Sequence, residues 1–292
     1  MEAYWDVIRR IVKESDLVLE ILDARLVELS RNDKVEEIIK EIGRPFIFVV
    51  NKSDLVSKKG LKNQVEKLRK MGEVVFVSAK DRRSMRILYS AIKKVFKEHG
   101  KREQTVRKVG DPKLKYREAK GDIVVGVLGY PNSGKSSLIN ALAHKTKVKV
   151  SKKSGTTHGI HWVKATNEIK LIDSPGVIPL IKDTGDKSPV SPNSKEFVDD
   201  EVRYGLIGAK DTERLRNPEL VSDAVIGLFI KNNRKSFEEF YGIEIGDGDV
   251  NVNDISEMIG RKKGFVTKGD VVDEHRTAGV IVRDWQQGRL KL

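Results

Sequence analysis

The segment Gly129-Tyr130-Pro131-Asn132-Ser133-Gly134-Lys135-Ser136 sets two glycines, a lysine and a hydroxyl in the spacing G-x-x-x-x-G-K-[ST], directly after the apolar run Ile123 to Leu128. Backbone N–H groups of such a loop, with the N-terminus of the helix it opens, cradle phosphate. Lys135 is placed to reach β and γ phosphates, Ser136 to ligate Mg²⁺, and Ser133, Gly134 and Ser137 complete the phosphate-binding set. A second constellation, Asn51-Lys52-Ser53-Asp54 with Ser78-Ala79-Lys80, also follows apolar runs. The Asp54 carboxylate can accept both N1–H and the exocyclic amine of guanine, which adenine does not offer in that arrangement. Asn51 suits the acceptor edge of the base, and the Lys52 stem can cover it. The Ala79 N–H can bond O6, and Lys80 can close the other face. Each short motif taken alone is also what a polar turn after a strand looks like; together they specify GTP/GDP.

Asp173-Ser174-Pro175-Gly176 fits a DxxG switch, in which Asp173 holds Mg²⁺ through water and the Gly176 N–H senses the γ phosphate. Thr157, in Gly155-Thr156-Thr157, is the candidate second hydroxyl on Mg²⁺, although spacing does not separate it from Thr156. Lys135, Thr157 and Gly176 therefore form the candidate catalytic set. Val177 stands where a water-orienting glutamine is found in Ras-type enzymes, so hydrolysis is expected to be slow and to need a partner, a potassium ion, or a displaced residue such as His158 or His161. The base-reading motifs precede the phosphate-reading ones, the reverse of an ordinary G domain. That order implies circular permutation.

The elements that must position these residues alternate along the chain. Apolar runs Leu17 to Leu22, Phe46 to Val50 and Val74 to Val77 interleave with helix-period segments Lys34 to Ile42, Leu61 to Met71 and Ser84 to Phe96, which is the pattern of βαβ units. Ile123 to Leu128, Ile160 to Val163 and Ile169 to Ile172 supply three more strands, and a helix runs from Lys135 to about Ala143. The fold class expected is α/β, a circularly permuted P-loop G domain with a six-stranded, mostly parallel sheet over 1–190, followed by a small all-α domain over 191–292. The basic stretch Glu98 to Lys120 is the expected splice between the halves. Helices are expected from about Glu196, over Glu219 to Ile230 behind Asn217-Pro218, and over Phe237 to Tyr241, Val252 to Ile259 and Val271 to Trp285.

Composition bounds the partners. Fifty-six Lys and Arg against 43 Asp and Glu give the 292-residue chain a formal charge of +13, a field that attracts polyanions. His144 to Lys153, Lys93 to Lys120 and Arg261 to Lys268 are the candidate RNA-contacting clusters, with an evenly solvated surface as the bland reading. The absence of cysteine excludes disulfides and thiolate zinc sites. No apolar run approaches the ~20 residues that span a bilayer, and Met1 to Ser15 lacks the apolar stretch of a signal peptide, so a cytoplasmic protein with no membrane partner is expected.

The permuted motif order resembles the YlqF (ribosome biogenesis GTPase A) family of circularly permuted GTPases. The likeness extends to Asp23-Ala24-Arg25 with Arg31-Asn32, Trp162-Val163-Lys164, and Asp284-Trp285 near Gly288-Arg289-Leu290. It implies GTP and Mg²⁺ binding, docking on the large ribosomal subunit precursor and its rRNA, hydrolysis as an assembly checkpoint, no DNA partner, and a monomer off the ribosome. It also implies that Asn132 is the phosphate-loop asparagine of potassium-stimulated GTPases. The Trp-Phe-Pro-Gly-His segment of bacterial members has no counterpart in Met1 to Ser15. For Asp23-Ala24-Arg25, a buried turn held by a salt bridge and a nucleotide-linked role are both open. Two rival functions remain: a small-subunit assembly GTPase, whose relatives carry an N-terminal barrel and cysteine-ligated zinc, and a GTP-gated recruitment module with negligible turnover.

Overall fold

The computed structural model describes residues 4–57, 65–99, 123–143, 161–166, 168–174, 195–246 and 251–292. Its centre is a six-stranded sheet in the order β3-β2-β1-β4-β6-β5, built from β1 (Leu17–Asp23), β2 (Phe46–Asn51), β3 (Glu73–Phe76), β4 (Ile123–Leu128), β5 (His161–Lys164) and β6 (Ile169–Asp173). Every pairing is parallel except β5 with β6. Every residue of the inner strands β1 and β4 is buried, Glu20 and Asp23 of β1 included, as expected of largely apolar strands covered on both faces. Strands β1 to β3, which carry the motifs expected to read the base, and β4 to β6, which flank the expected phosphate loop, join through the β1–β4 pair.

Helices cover both faces. α1 (Tyr4–Glu14) and α2 (Asp33–Ile42) pack Ile8, Ile11, Val35 and Ile38 beneath Val18, Val124 and Ile172. On the other face, α3 (Arg82–His99) and α4 (Lys135–Ala143) bury Leu88, Ile92, Leu138 and Ile139 against Leu19, Ile21 and Val125. Caps set the ends. Asn32 accepts from the Val35 N–H at the start of α2, Gly43 ends it at φ 74°, and Asp81 accepts from the Arg83 and Ser84 N–H groups at the start of α3. The six expected strands are present, each within a residue or so of its expected ends.

From Lys195 the described chain is helical: α5 (Lys195–Leu206), α6 (Pro218–Asn232), α7 (Arg234–Tyr241), α8 (Val252–Lys262) and α9 (Glu274–Gln286). They enclose a core of their own, with Val221, Val225 and Phe229 of α6 against Phe237, Ile255, Ile281 and Trp285. α1 is an element beyond those expected from the sequence: its apolar positions alternate with charges, yet Ile8, Ile11 and Val12 fall on one helical stripe. The helix expected over Val271 to Trp285 begins instead at Glu274. Asp273 accepts from the Arg276 N–H as its cap, and Val272 forms an isolated bridge with Val266.

Candidate functional site

Strand register brings the carboxyl ends of four parallel strands into line. Asp23 pairs with Asn51 across β1 and β2, and Asp173 pairs with Val127 across β6 and β4. The loop Gly129 to Gly134 lies at the same edge, where ligands bind in open parallel sheets. Its backbone is unusual: Gly129 has φ 146°, Asn132 φ 58° and Gly134 φ 96°. A Cβ on Gly129 would stand 2.6 Å from the Ile21 carbonyl oxygen, and one on Gly134 would stand 2.2 Å from Asn51 Nδ2. Both glycines are therefore required by conformation and by space.

That close approach unites the two halves of the site. Asn51 Nδ2 donates to the Ser133 carbonyl at 2.9 Å, a buried bond between residues 82 apart in sequence. On the base side, Ser53 N–H donates to the Val77 carbonyl at 3.1 Å, and Asp54 lies 3.6 Å from Lys80 Nζ, with Lys80 largely exposed. Ser78 is buried with its N–H on Ser84 Oγ, and Ala79 is half-buried beside it. Lys52 takes φ 59° and sends Nζ to Asp23 Oδ2 at 2.7 Å. Burial pushes the Asp23 carboxyl up, but Arg25 and Lys52 together hold it well below the usual carboxylate range.

On the phosphate side, Lys135 Nζ folds back to donate to the Gly129 and Tyr130 carbonyls at 2.8 Å each. Burial lowers its pKa to about 8, partly opposed by the charge of Asp173. Asp173 is buried and pushed up to about 6 by desolvation, against the charges of Lys135 and His161. Both its carboxylate oxygens, Ser133 Oγ and Asn51 Oδ1 are buried with no hydrogen-bond partner among the described residues. Unpartnered buried acceptors at one strand edge are what a site for a cation and a polar ligand presents. Ser136 and Ser137 are half-buried in the first turn of α4, so the donor set fits Mg²⁺ held by Ser136 and Asp173. Thr157, its neighbours Gly155 and Thr156, Gly176, Val177 and His158 lie outside the described residues. His161 is described and exposed at the start of β5.

Several contacts at this edge come from the C-terminal helices. Asn132 Nδ2 donates to the Gly208 carbonyl at 2.7 Å, and Tyr130 packs with Tyr204 and Ile207. Arg25 stacks its guanidinium 3.9 Å from the centroid of the Trp285 ring and donates to the Trp285 carbonyl. Leu292 N–H donates to the Leu55 carbonyl at 2.8 Å, just past Asp54. Asp23-Ala24-Arg25 and Asp284-Trp285 stand out in the sequence, but no local pattern joins residues 260 apart.

A family model described as 50S ribosome-binding GTPase matches residues 124–216. Ribosome biogenesis GTPase A of Bacillus cereus is 28% identical over 283 residues, 96% of this chain and 85% of the relative. The GNP-bound structure of YlqF from T. maritima superposes over 99% of this chain and 95% of that one, at 21% identity and a TM-score of 0.56. The chain is similar to proteins of the YlqF family of circularly permuted GTPases over nearly its whole length. An uncharacterized GTP-binding protein of Methanocaldococcus jannaschii is 34% identical over 285 residues, and nuclear GTP-binding protein NUG1 of Saccharomyces cerevisiae is 26% identical over 310. The chain spans 65% of the archaeal relative and 55% of the yeast one. No helix among its described residues is long and apolar enough to cross a membrane.

Proposed function

We propose that the protein binds GTP and GDP at the carboxyl edge of its sheet, hydrolyses GTP, and acts as a nucleotide-gated assembly factor for the large ribosomal subunit. The observation that carries this reading is the 2.9 Å bond from Asn51 Nδ2 to the Ser133 carbonyl, which ties the base-reading strand to the phosphate loop. Asp54 reads N1–H and the exocyclic amine of guanine, Asn51 lies at the acceptor edge, and the Lys52 stem lies along the base. Ser78, Ala79 and Lys80 close the other side. Ser133, Gly134 and Ser137 line the phosphates, Lys135 pairs with the β and γ groups, and Gly176 senses the γ phosphate.

Ser136, Thr157 and Asp173 would hold Mg²⁺. That ion would neutralise charge on the β and γ phosphate oxygens. The amide oxygen of Asn132 is the atom chemically suited to a potassium ion. With valine at 177, such a cation or a ribosomal partner supplies what a water-orienting glutamine supplies elsewhere, so turnover off the ribosome is slow. Residues 1–190 form the G domain and 191–292 the helical domain, with the basic clusters facing rRNA in a cytoplasmic, monomeric protein.

Calorimetry with GDP and ADP tests the site: GDP should bind and ADP should not, and Asp54→Ala should abolish the preference. Equal affinities in the unaltered protein would sink the reading. Co-sedimentation with large and small subunits under GTP, GDP and a non-hydrolysable analogue tests the partner, and preference for small subunits would overturn it. Turnover that neither potassium nor subunits stimulate would favour the recruitment-module rival.

A further inference from the structure

Asp23 is fully buried and serves two cations. Its Oδ2 accepts from Lys52 Nζ at 2.7 Å and from an Arg25 terminal nitrogen at 2.8 Å, while Oδ1 accepts from Arg25 Nε and from the Arg25 backbone N–H, each at 3.0 Å. Arg25 is thus gripped bidentately, with its plane fixed. That plane lies on the Trp285 ring, and its remaining terminal nitrogen donates to the Trp285 carbonyl. Trp285 is in turn held by its own Nε1–H on the Leu206 carbonyl at 2.7 Å. An unbroken set of contacts, partly buried at Lys52 and buried beyond it, therefore runs from the base-reading lysine to the core of the C-terminal helices. A second tie joins the same regions, since Ser57 N–H donates to the Leu292 carbonyl at 3.1 Å and Leu292 N–H returns to Leu55.

We propose that Asp23 is a positioning residue for guanine recognition, holding the Lys52 stem in place while Arg25 couples that position to the docking of the C-terminal helices through Trp285. The inference rests on the nucleotide reading above and deepens it. A lysine stem that must lie along a purine gains from having its ammonium anchored, because the rotamer freedom it would lose on binding is already spent. The anchor is the same carboxylate that orients Arg25. Displacing Trp285 therefore disturbs Arg25, then Asp23, then Lys52. By linkage, guanine binding stabilises the docked helices to the same degree that docking tightens guanine binding.

The full-length chain tests this with GDP as the probe. Calorimetric GDP affinity is measured alongside hydrogen exchange of residues 274–292 with and without GDP, in the unaltered protein, Arg25→Lys and Asp23→Asn. Arg25→Lys keeps the charge beside Asp23 and loses the planar stack and fork. In the unaltered protein GDP should slow exchange across 281–290. Arg25→Lys should weaken GDP by about fivefold or more, within the usual range of coupling, and should lose most of that protection. Asp23→Asn should weaken GDP at least as much and reduce the preference for GDP over ADP. GDP affinities within twofold of the unaltered protein in both folded variants, or exchange over 274–292 that GDP leaves untouched while it binds, would overturn the coupling alone. Failure of the unaltered protein to prefer GDP over ADP would instead remove the nucleotide reading on which it stands.

Discussion

Replacing Gly134 by alanine probes the junction on which the site depends. The glycine has φ 96°, a conformation that costs an L-residue about 1–3 kcal/mol. The new methyl would stand 2.2 Å from Asn51 Nδ2, so the asparagine must move and its bond to the Ser133 carbonyl must break. Leaving that buried pair unsatisfied costs about another 1–3 kcal/mol. The two effects sum to a destabilisation of about 2–6 kcal/mol, read as a lowered urea midpoint at unchanged slope. The mechanism is separable by a double-mutant cycle. Asn51→Ala alone loses the bond, about 1–3 kcal/mol, and also removes the atoms that obstruct a methyl at 134. The double variant should therefore cost less than the sum of the singles by about 1 kcal/mol or more, because the bond is lost only once and the clash disappears. Additivity within about 0.5 kcal/mol would refute the contact between the base-reading strand and the phosphate loop. GDP titrations of the same four proteins should show both single variants weakened.

Glu20 lies buried on β1 with its pKa raised to about 8 by desolvation and the charge of Glu36, against the Asn32 N–H and Arg31. The folded state then holds a proton the unfolded chain releases near pH 4.5. Stability should be full below that value and fall as pH rises toward 8, by up to about 1.4 kcal/mol per unit; urea midpoints from pH 4 to 9 should show this slope, and Glu20→Gln should flatten it. Trp285→Phe removes the Nε1–H bond to Leu206 and shrinks the surface under Arg25, so thermal unfolding should report a loss of about 1–3 kcal/mol. Gly129→Ala sets a methyl 2.6 Å from the Ile21 carbonyl, and since backbone cannot swing aside as a side chain can, soluble yield should fall sharply while Gly227→Ala, with open space around it, should be tolerated. Association with ribosomal RNA should weaken steeply between low and moderate salt, and a flat salt profile would remove the basic clusters as phosphate contacts.

The sheet was legible because its strands are local facts. β4 is apolar throughout and β1 is apolar but for Glu20 and Asp23, runs that no other element explains so simply, and the motifs sit at their ends. The phosphate loop was legible for a similar reason: conformation and close approach leave Gly129 and Gly134 no substitute, so the spacing survives in the letters. α1 was less so, because its stripe of three apolar residues is broken by charges at the surface. The helix expected from Val271 starts three residues later, because the isolated Val266–Val272 bridge and the Asp273 cap set its first residue at Glu274.

What the sequence by itself supplied is therefore the candidate chemistry and its order: a carboxylate proposed to read guanine, a loop with the spacing of a phosphate cradle, an aspartate proposed as a switch, and the inversion that marks a permuted chain. Only the tertiary structure decided what those residues lean on. Arg25 beneath Trp285, Asn132 on Gly208, and Lys52 anchored by Asp23 join segments that share no pattern, because such contacts depend on how the C-terminal helices settle against the strand edge. Spacing along the chain encodes what one turn or strand must do. Partnership across the fold is fixed by packing, and packing is a property of all the elements together.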